Sequence, residues 1–98
     1  MSVKEFVDQA IKNETVVVFS KTYCPYCIKA KNLLKNNNID FTVYELDNRE
    51  DGQEIQDYLA TISGQRTVPN IYVKGTHVGG CDAVHAAHAN GTLAKLLK

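Results

Sequence analysis

Two cysteines three positions apart, in the segment Cys24-Pro25-Tyr26-Cys27, are the residues of this chain best placed to do chemistry. A dithiol at that spacing can cycle to a disulfide, or it can supply half of a zinc site. The surrounding residues favour the redox reading. The apolar, β-branched run Val16-Val17-Val18-Phe19 reads as a buried strand. The chain then restarts as a helix at Pro25, whose fixed φ and missing N–H suit a first helical position. Cys24 thereby stands at the helix N-terminus, where unpaired N–H groups and the positive end of the helix dipole stabilise a thiolate. Cys27 falls one turn deeper on the same face, within disulfide reach of Cys24 but shielded. Cys81 and His85 offer a second pair for zinc, but structural zinc pairs usually sit in knuckle turns rather than at a strand-to-helix junction.

Two further stretches have chemical potential. Thr67-Val68-Pro69 puts a proline just before a strand, which forces Val68 into extended backbone and permits a cis bond. An extended residue of this kind can pair with a peptide-like ligand, although a proline that merely begins a strand is common. Gly79-Gly80-Cys81-Asp82 combines two glycines with a helix start, a backbone pocket whose N–H groups can hold a carboxylate. Its plain alternative is an ordinary turn with Asp82 as N-cap. Cys81 reads first as a small buried residue. His85 and His88 read as helix-surface histidines, since no carboxylate pair converges with them. Arg66 is either a groove charge or simple surface.

The elements that must position these residues follow from periodicity. Ser2 and Glu5 form a capping box ahead of Val3, Phe6, Val7, Ala10 and Ile11 at helical spacing, and Asn13 ends that helix. Cys27, Ala30 and Leu34 share a stripe on the next helix, which Asn36 to Asn38 stop. Phe41 to Leu46 has strand composition, so strand, helix and strand make a βαβ unit with parallel strands. Asp51 and Glu54 are expected to cap a helix with Ile55, Tyr58, Leu59 and Ile62 on one face, ended by Gly64. Asn70–Val73 and Thr76–Val78 read as a hairpin through Lys74-Gly75. Asp82 is expected to cap a short helix through about Ala89, and Thr92 a last turn carrying Leu93, Leu96 and Leu97. The order is α, βαβ, α, ββ, α: a four-stranded mixed sheet with helices on its faces.

Composition bounds the function. Ninety-eight residues, 44% apolar, make one domain over 1–98 with a single modest core. Eleven acids balance eleven bases, so no bulk field favours nucleic acid or an anionic membrane surface. No segment is long and apolar enough to cross a bilayer, and the opening Met1-Ser2-Val3-Lys4-Glu5-Phe6 lacks the apolar run of a signal peptide. Three cysteines fit poorly with a disulfide framework. The expectation is a cytoplasmic monomer in a reducing compartment.

Together, Cys24-Pro25-Tyr26-Cys27, Glu54-Ile55-Gln56, Gln65-Arg66-Thr67-Val68-Pro69 and Gly79-Gly80 stand in an order and spacing that resembles the dithiol glutaredoxin family. The resemblance spans nearly the whole chain. It implies an α/β, thioredoxin-like fold with an additional N-terminal helix, and glutathione as cosubstrate with no metal. It implies reduction of glutathione mixed disulfides and of protein disulfides, with glutathionylated proteins and disulfides as partners and Cys24 and Cys27 as catalytic residues. Glutathione would be met by Lys21, Tyr26, Gln56, Thr67, Val68, Pro69, Gly80, Cys81 and Asp82. Of these, Val68 would pair with the cysteinyl backbone, Pro69 would be cis, Lys21 and Gln56 would meet the glycyl carboxylate, and the Gly80-Cys81-Asp82 turn would hold the γ-glutamyl end. Lys21 is also the charged candidate for favouring the Cys24 thiolate. One departure stands out: where the family carries a second acid after the Gly-Gly turn, this chain has Ala83, leaving Asp82 to meet the γ-glutamyl ammonium. The rival readings are a [2Fe–2S] glutaredoxin, against which Pro25 weighs, a structural zinc module, and a general thioredoxin-like reductase, against which Gln56 and Gly79-Gly80 weigh.

Overall fold

The computed structural model describes residues 2–98. Helix α1 (Val3–Asn13) leads into strand β1 (Val16–Ser20), helix α2 (Pro25–Asn36) and strand β2 (Thr42–Glu45). A 3-10 turn (Leu46–Asn48) and helix α3 (Gly52–Ser63) follow, then strands β3 (Asn70–Val73) and β4 (Thr76–Gly79), and helices α4 (Cys81–Ala89) and α5 (Thr92–Leu97). The sheet order is β2-β1-β3-β4, with β1 parallel to β2 and antiparallel to β3, and β3 antiparallel to β4. This is the expected α/β, thioredoxin-like sheet with an added N-terminal helix.

β1 is buried along its whole length because both faces of the sheet are covered. Val16 and Val18 pack with Ala30 and Leu34 of α2, Val84 and Ala87 of α4 and Leu93 of α5. Val17 and Phe19 pack on the other side with Val7 and Ala10 of α1 and Ile55 and Leu59 of α3. A continuous apolar strand is what a central strand between two helical layers requires. Each fully buried Leu or Ile contributes about 1.5–3 kcal/mol of apolar burial.

Register determines where the loops meet. Ser20 stands beside Glu45 in the parallel pair, Phe19 beside Asn70 and Ile71 beside Gly79 in the antiparallel ones. The segments after β1, after β2, before β3 and after β4 therefore all emerge at one end of the sheet. That end carries Cys24, Asp47, Pro69 and Gly80.

Several helix ends differ from expectation. Ser2 does cap α1, accepting Glu5 N–H at 3.1 Å and donating its hydroxyl to the Glu5 carboxylate. Asn38 is left-handed at φ 57°, as the asparagine run foretold. Asp51, however, holds the N-cap position of α3 without capping it, because both its oxygens are taken by Arg49 at 2.8 and 3.1 Å. Helix α4 begins two residues earlier than expected: Gly80 is its N-cap and Asp82 sits exposed in the first turn. Gly91 rather than Thr92 precedes α5, with Asn90 Oδ1 accepting Thr92 N–H at 2.9 Å. Ile62 is 45% exposed, so the apolar face of α3 ends at Leu59. β2 is shorter than the apolar run, with Phe41 before it and Leu46 passed to the 3-10 turn.

Gly52 is the tightest backbone contact. A Cβ there would stand 1.9 Å from Leu46 O and 2.8 Å from Leu46 C, both backbone atoms that cannot swing aside. Gly52→Ala is therefore expected to destabilise the fold by about 1–3 kcal/mol or more, seen as a lower urea midpoint at unchanged slope. A wild-type midpoint would show that the contact yields.

Candidate active site

Cys24 is the N-cap of α2, with extended backbone at φ −84° and ψ 117° and Pro25 following in the first turn. Its Sγ accepts the Cys27 N–H at 3.4 Å, and the loop before it is closed by Cys24 N–H donating to Lys21 O at 3.2 Å. The thiol is partly exposed, and its S–H points to Val68 O at 3.9 Å. A partly exposed nucleophile at a helix N-terminus, with its S–H toward the Val68 carbonyl, is what the sequence anticipates.

Cys27 is one turn deeper and fully buried. Burial pushes its thiol above the ordinary range, opposed by the Lys21 backbone and the Ser20 hydroxyl and reinforced by Cys24. The two sulfurs therefore differ in kind: one accessible, the other protonated and withdrawn. All three cysteines are free thiols.

Facing Cys24 is an open groove of about 510 Å³ lined by Tyr26, Thr67, Val68, Pro69, Gly80, Cys81, Asp82 and Ala83. Seven of those eight residues are among the expected glutathione contacts; the eighth is the departure at Ala83. The Val68–Pro69 peptide is cis. Tyr26 is 61% exposed and forms a rim rather than a core contact. Lys21 and Gln56 lie outside the groove lining. Gln56 instead donates Nε2–H to Arg66 O at 2.7 Å, tying α3 to the loop before β3. Arg66 pairs with Asp57 at 2.7 Å, with both side chains largely in solvent.

Cys81 is buried, and burial raises its thiol first, with Asp82 and Cys24 adding and Lys29 opposing. His85 Nδ1 lies 2.8 Å from Cys81 O, so Nδ1–H donates to that carbonyl, and 3.5 Å from Cys81 Sγ. Among the described residues no three His, Cys, Asp or Glu side chains gather as a group that could hold a metal ion. Cys81 and His85 thus do not complete a zinc set with the CxxC pair.

Gln65 is a residue whose role the sequence reading missed. Its Nε2 donates to Thr67 O at 2.9 Å and to Pro69 O at 2.8 Å, bracing the groove wall from behind. Its position inside the Gln65–Pro69 motif was the available signal. A larger cavity of about 790 Å³ lies between α2 and the edge strand β2, lined in part by Lys31, Phe41, Val43 and Glu45. No sulfur reaches it, so the smaller groove is the one with chemistry.

Comparisons agree with this geometry. The family model described as Glutaredoxin matches residues 16–78, more than half of the chain. Glutaredoxin-C2 of Arabidopsis thaliana is 51% identical over 89 residues, covering 91% of this chain and 80% of that protein. The crystal structure of a buckwheat glutaredoxin–glutathione complex superimposes with a TM-score of 0.94 at 41% identity, covering 97% of this chain and 86% of that one. Oxidised glutaredoxin 2 from Chlamydomonas reinhardtii gives a TM-score of 0.89 at 46% identity, covering 99% and 94%.

Because Cys27 and Cys81 are both buried with raised thiols, brief iodoacetamide treatment of the reduced protein below about pH 9 is expected to give a single adduct, at Cys24. Peptide mass spectrometry reads the site. Equal labelling at Cys27 or Cys81 would show that the two sulfurs are not distinguished by burial.

Proposed function

The chain belongs to the glutaredoxin family, and from that premise we propose how its own residues carry out glutathione-dependent thiol–disulfide exchange. The observation that carries the assignment is the Cys24 sulfur, held at the N-terminus of α2 by the Cys27 N–H and facing the Val68 backbone across an open groove.

In the first route, the Cys24 thiolate attacks the glutathionyl sulfur of a mixed disulfide. A Cys24–glutathione disulfide forms, and the substrate leaves as a thiolate that takes a proton from water. A glutathione thiolate then attacks the glutathionyl sulfur, releasing oxidised glutathione and restoring Cys24. One mixed disulfide and one glutathione become one thiol and one oxidised glutathione. In the second route, Cys24 attacks a protein disulfide, and Cys27 gives up its proton and attacks Cys24 Sγ, expelling the second substrate thiol. Two glutathiones then reduce the Cys24–Cys27 bond. Cys24, partly exposed at the start of α2, is the sulfur that an incoming disulfide or glutathione can reach.

The groove supports binding of glutathione as an added strand. Val68 offers its backbone N–H and C=O to the cysteinyl unit, with Thr67 and Pro69 as wall and Tyr26 as rim. The first turn of α4, with Gly80, Cys81 and Asp82, presents N–H groups to the γ-glutamyl carboxylate and the Asp82 carboxylate to its ammonium. Lys21 and the second amide proton of Gln56 are proposed to meet the glycyl carboxylate. Glutathionylated proteins are the proposed substrates and a cytoplasmic monomer the proposed state, in keeping with a CxxC in a chain of odd cysteine count.

Turnover of a small glutathione mixed disulfide tests the division of labour. Cys24→Ser is expected to lose activity by on the order of a thousandfold or more, whereas Cys27→Ser keeps it and loses only the protein-disulfide route. If both variants are dead, Cys27 is obligatory in every route and the first mechanism is wrong. Ala83→Asp restores a second acid beside the γ-glutamyl site. It is expected to lower KM for glutathione substrates by about two- to fivefold, the worth of a partly exposed ion pair. An unchanged KM would mean that Asp82 alone meets the ammonium.

A further inference from the structure

The loop that carries Cys24 is tied down from the neighbouring strand. β1 and β2 run in parallel with Ser20 beside Glu45, so Lys21-Thr22 and Leu46-Asp47 leave the sheet side by side. Asp47 closes the gap. Its Oδ1 accepts Thr22 N–H at 3.0 Å and its Oδ2 accepts the Thr22 hydroxyl, a two-point contact across 25 positions of sequence.

The anchor behind Asp47 is firm. Leu46 is buried, and the backbone of Gly52 closes directly on its carbonyl. Arg49 N–H donates to Leu46 O at 3.4 Å, while its guanidinium lies 4.4 Å above the Phe6 ring and pairs with Asp51. Thr22 lies between Lys21 and Cys24, so what holds Thr22 sets both ends of the turn. The Thr22 hydroxyl, then the Thr22 N–H, hold the Asp47 carboxyl below the usual carboxylate range, and nearby Lys21 adds to this. The latch is therefore a carboxylate acceptor at neutral pH.

We propose that Asp47 is a positioning residue for the exchange reaction, a carboxylate latch on Thr22 that holds the Lys21–Cys24 turn and so keeps Cys24 Sγ facing Val68. Asp47 touches neither sulfur nor glutathione; it acts through Thr22. The proposal rests on Cys24 as nucleophile and Lys21 as glycyl contact. Without the latch the loop keeps its chain path but samples more positions. Cys24 then spends less time against the Cys27 N–H, and in-line attack becomes rarer.

The test compares wild type, Asp47→Ala, Asp47→Asn, Thr22→Val and the Asp47→Ala/Thr22→Val double variant. Three readouts are used: kcat and KM for a small glutathione mixed disulfide, the rate of Cys24 alkylation by iodoacetamide, and Tm. A misplacement of about 1 Å can cost on the order of a hundredfold, so partial loosening in Asp47→Ala is expected to lower kcat/KM by about tenfold. Alkylation should slow in parallel while Tm moves by less than about 4 °C, as for an exposed substitution. Asp47→Asn, which keeps an acceptor for Thr22 N–H, should recover most of the loss, and the double variant should be no worse than Asp47→Ala. The proposal is overturned if Asp47→Ala turns over within twofold of wild type, if alkylation is unchanged, or if the activity loss follows a fall in Tm that Asp47→Asn does not restore. Additive losses in the double variant overturn it as well. Alkylation needs no glutathione. Wild type that alkylates normally but is silent with glutathione would therefore sink the glutathione reading and leave the latch to be judged on alkylation alone.

Discussion

The hydrogen-bond ladders on either side of β1 are the constraint on which the active end depends. A parallel neighbour on one edge and an antiparallel one on the other bring four chain segments to the same end of the sheet. The cysteine loop, the 3-10 turn, the cis-proline segment and the start of α4 come from distant parts of the sequence. The contact between the cysteine loop and the cis-proline segment would not survive a one-residue slip of β3, because a slip inverts every side chain of a strand. Val18 and Ile71 on one face and Phe19 and Tyr72 on the other set that register through burial. The core thus specifies the site indirectly, by leaving only one register in which both faces of the sheet stay apolar.

Within that frame, one helix separates two sulfurs by a single turn and gives them different solvents. Cys24 shares its position with the orphan N–H groups of the first turn, and Cys27 shares its position with Ala30 and Leu34. Burial holds the second sulfur in its neutral form. Reactivity and resolution are assigned by depth in the helix, with no added base. The same logic leaves Cys81 inert by default: it lines the groove but is buried.

How much of this was legible in the sequence depended on the range of the interaction. The capping box at Ser2, the apolar run of β1, Pro25 at the first helical position, the asparagine stop and the Lys74-Gly75 hairpin are local signals, and each appears where expected. The missed caps have two causes. Asp51 fits an N-cap pattern, but Arg49 two positions away makes a bidentate claim on its carboxylate. Asp82 and Thr92 also fit, yet a glycine just upstream takes the cap in each case. Asp47 and Gln65 were illegible for another reason. Asp47 meets a residue brought near only by strand pairing, and Gln65 donates to backbone carbonyls, which carry no residue identity. The residues that line the groove fall within the motifs quoted from the sequence, while the Gln56 contact to Arg66 O joins segments ten positions apart and has no local signal.

The glycine pair explains how the recognition wall comes so close to the sulfur. Gly79 has φ 123°, and a Cβ there would stand 2.9 Å from the Ala83 methyl. At Gly80 a Cβ would already touch Pro69 O at 3.5 Å. The chain therefore turns from β4 into α4 directly behind the cis-proline wall, and the N–H groups of the α4 first turn open onto the groove. Any side chain at 79 would push α4 outward and widen it. The nucleophile thus rests on α2 and its loop, and the facing groove wall on the β3 and α4 termini. The two walls meet where Cys24 Sγ stands 3.9 Å from Val68 O, whereas Ala83 lines the groove beside Asp82. The latch at Asp47 stands on the opposite side, where a change would alter the nucleophile's placement without touching the γ-glutamyl pocket.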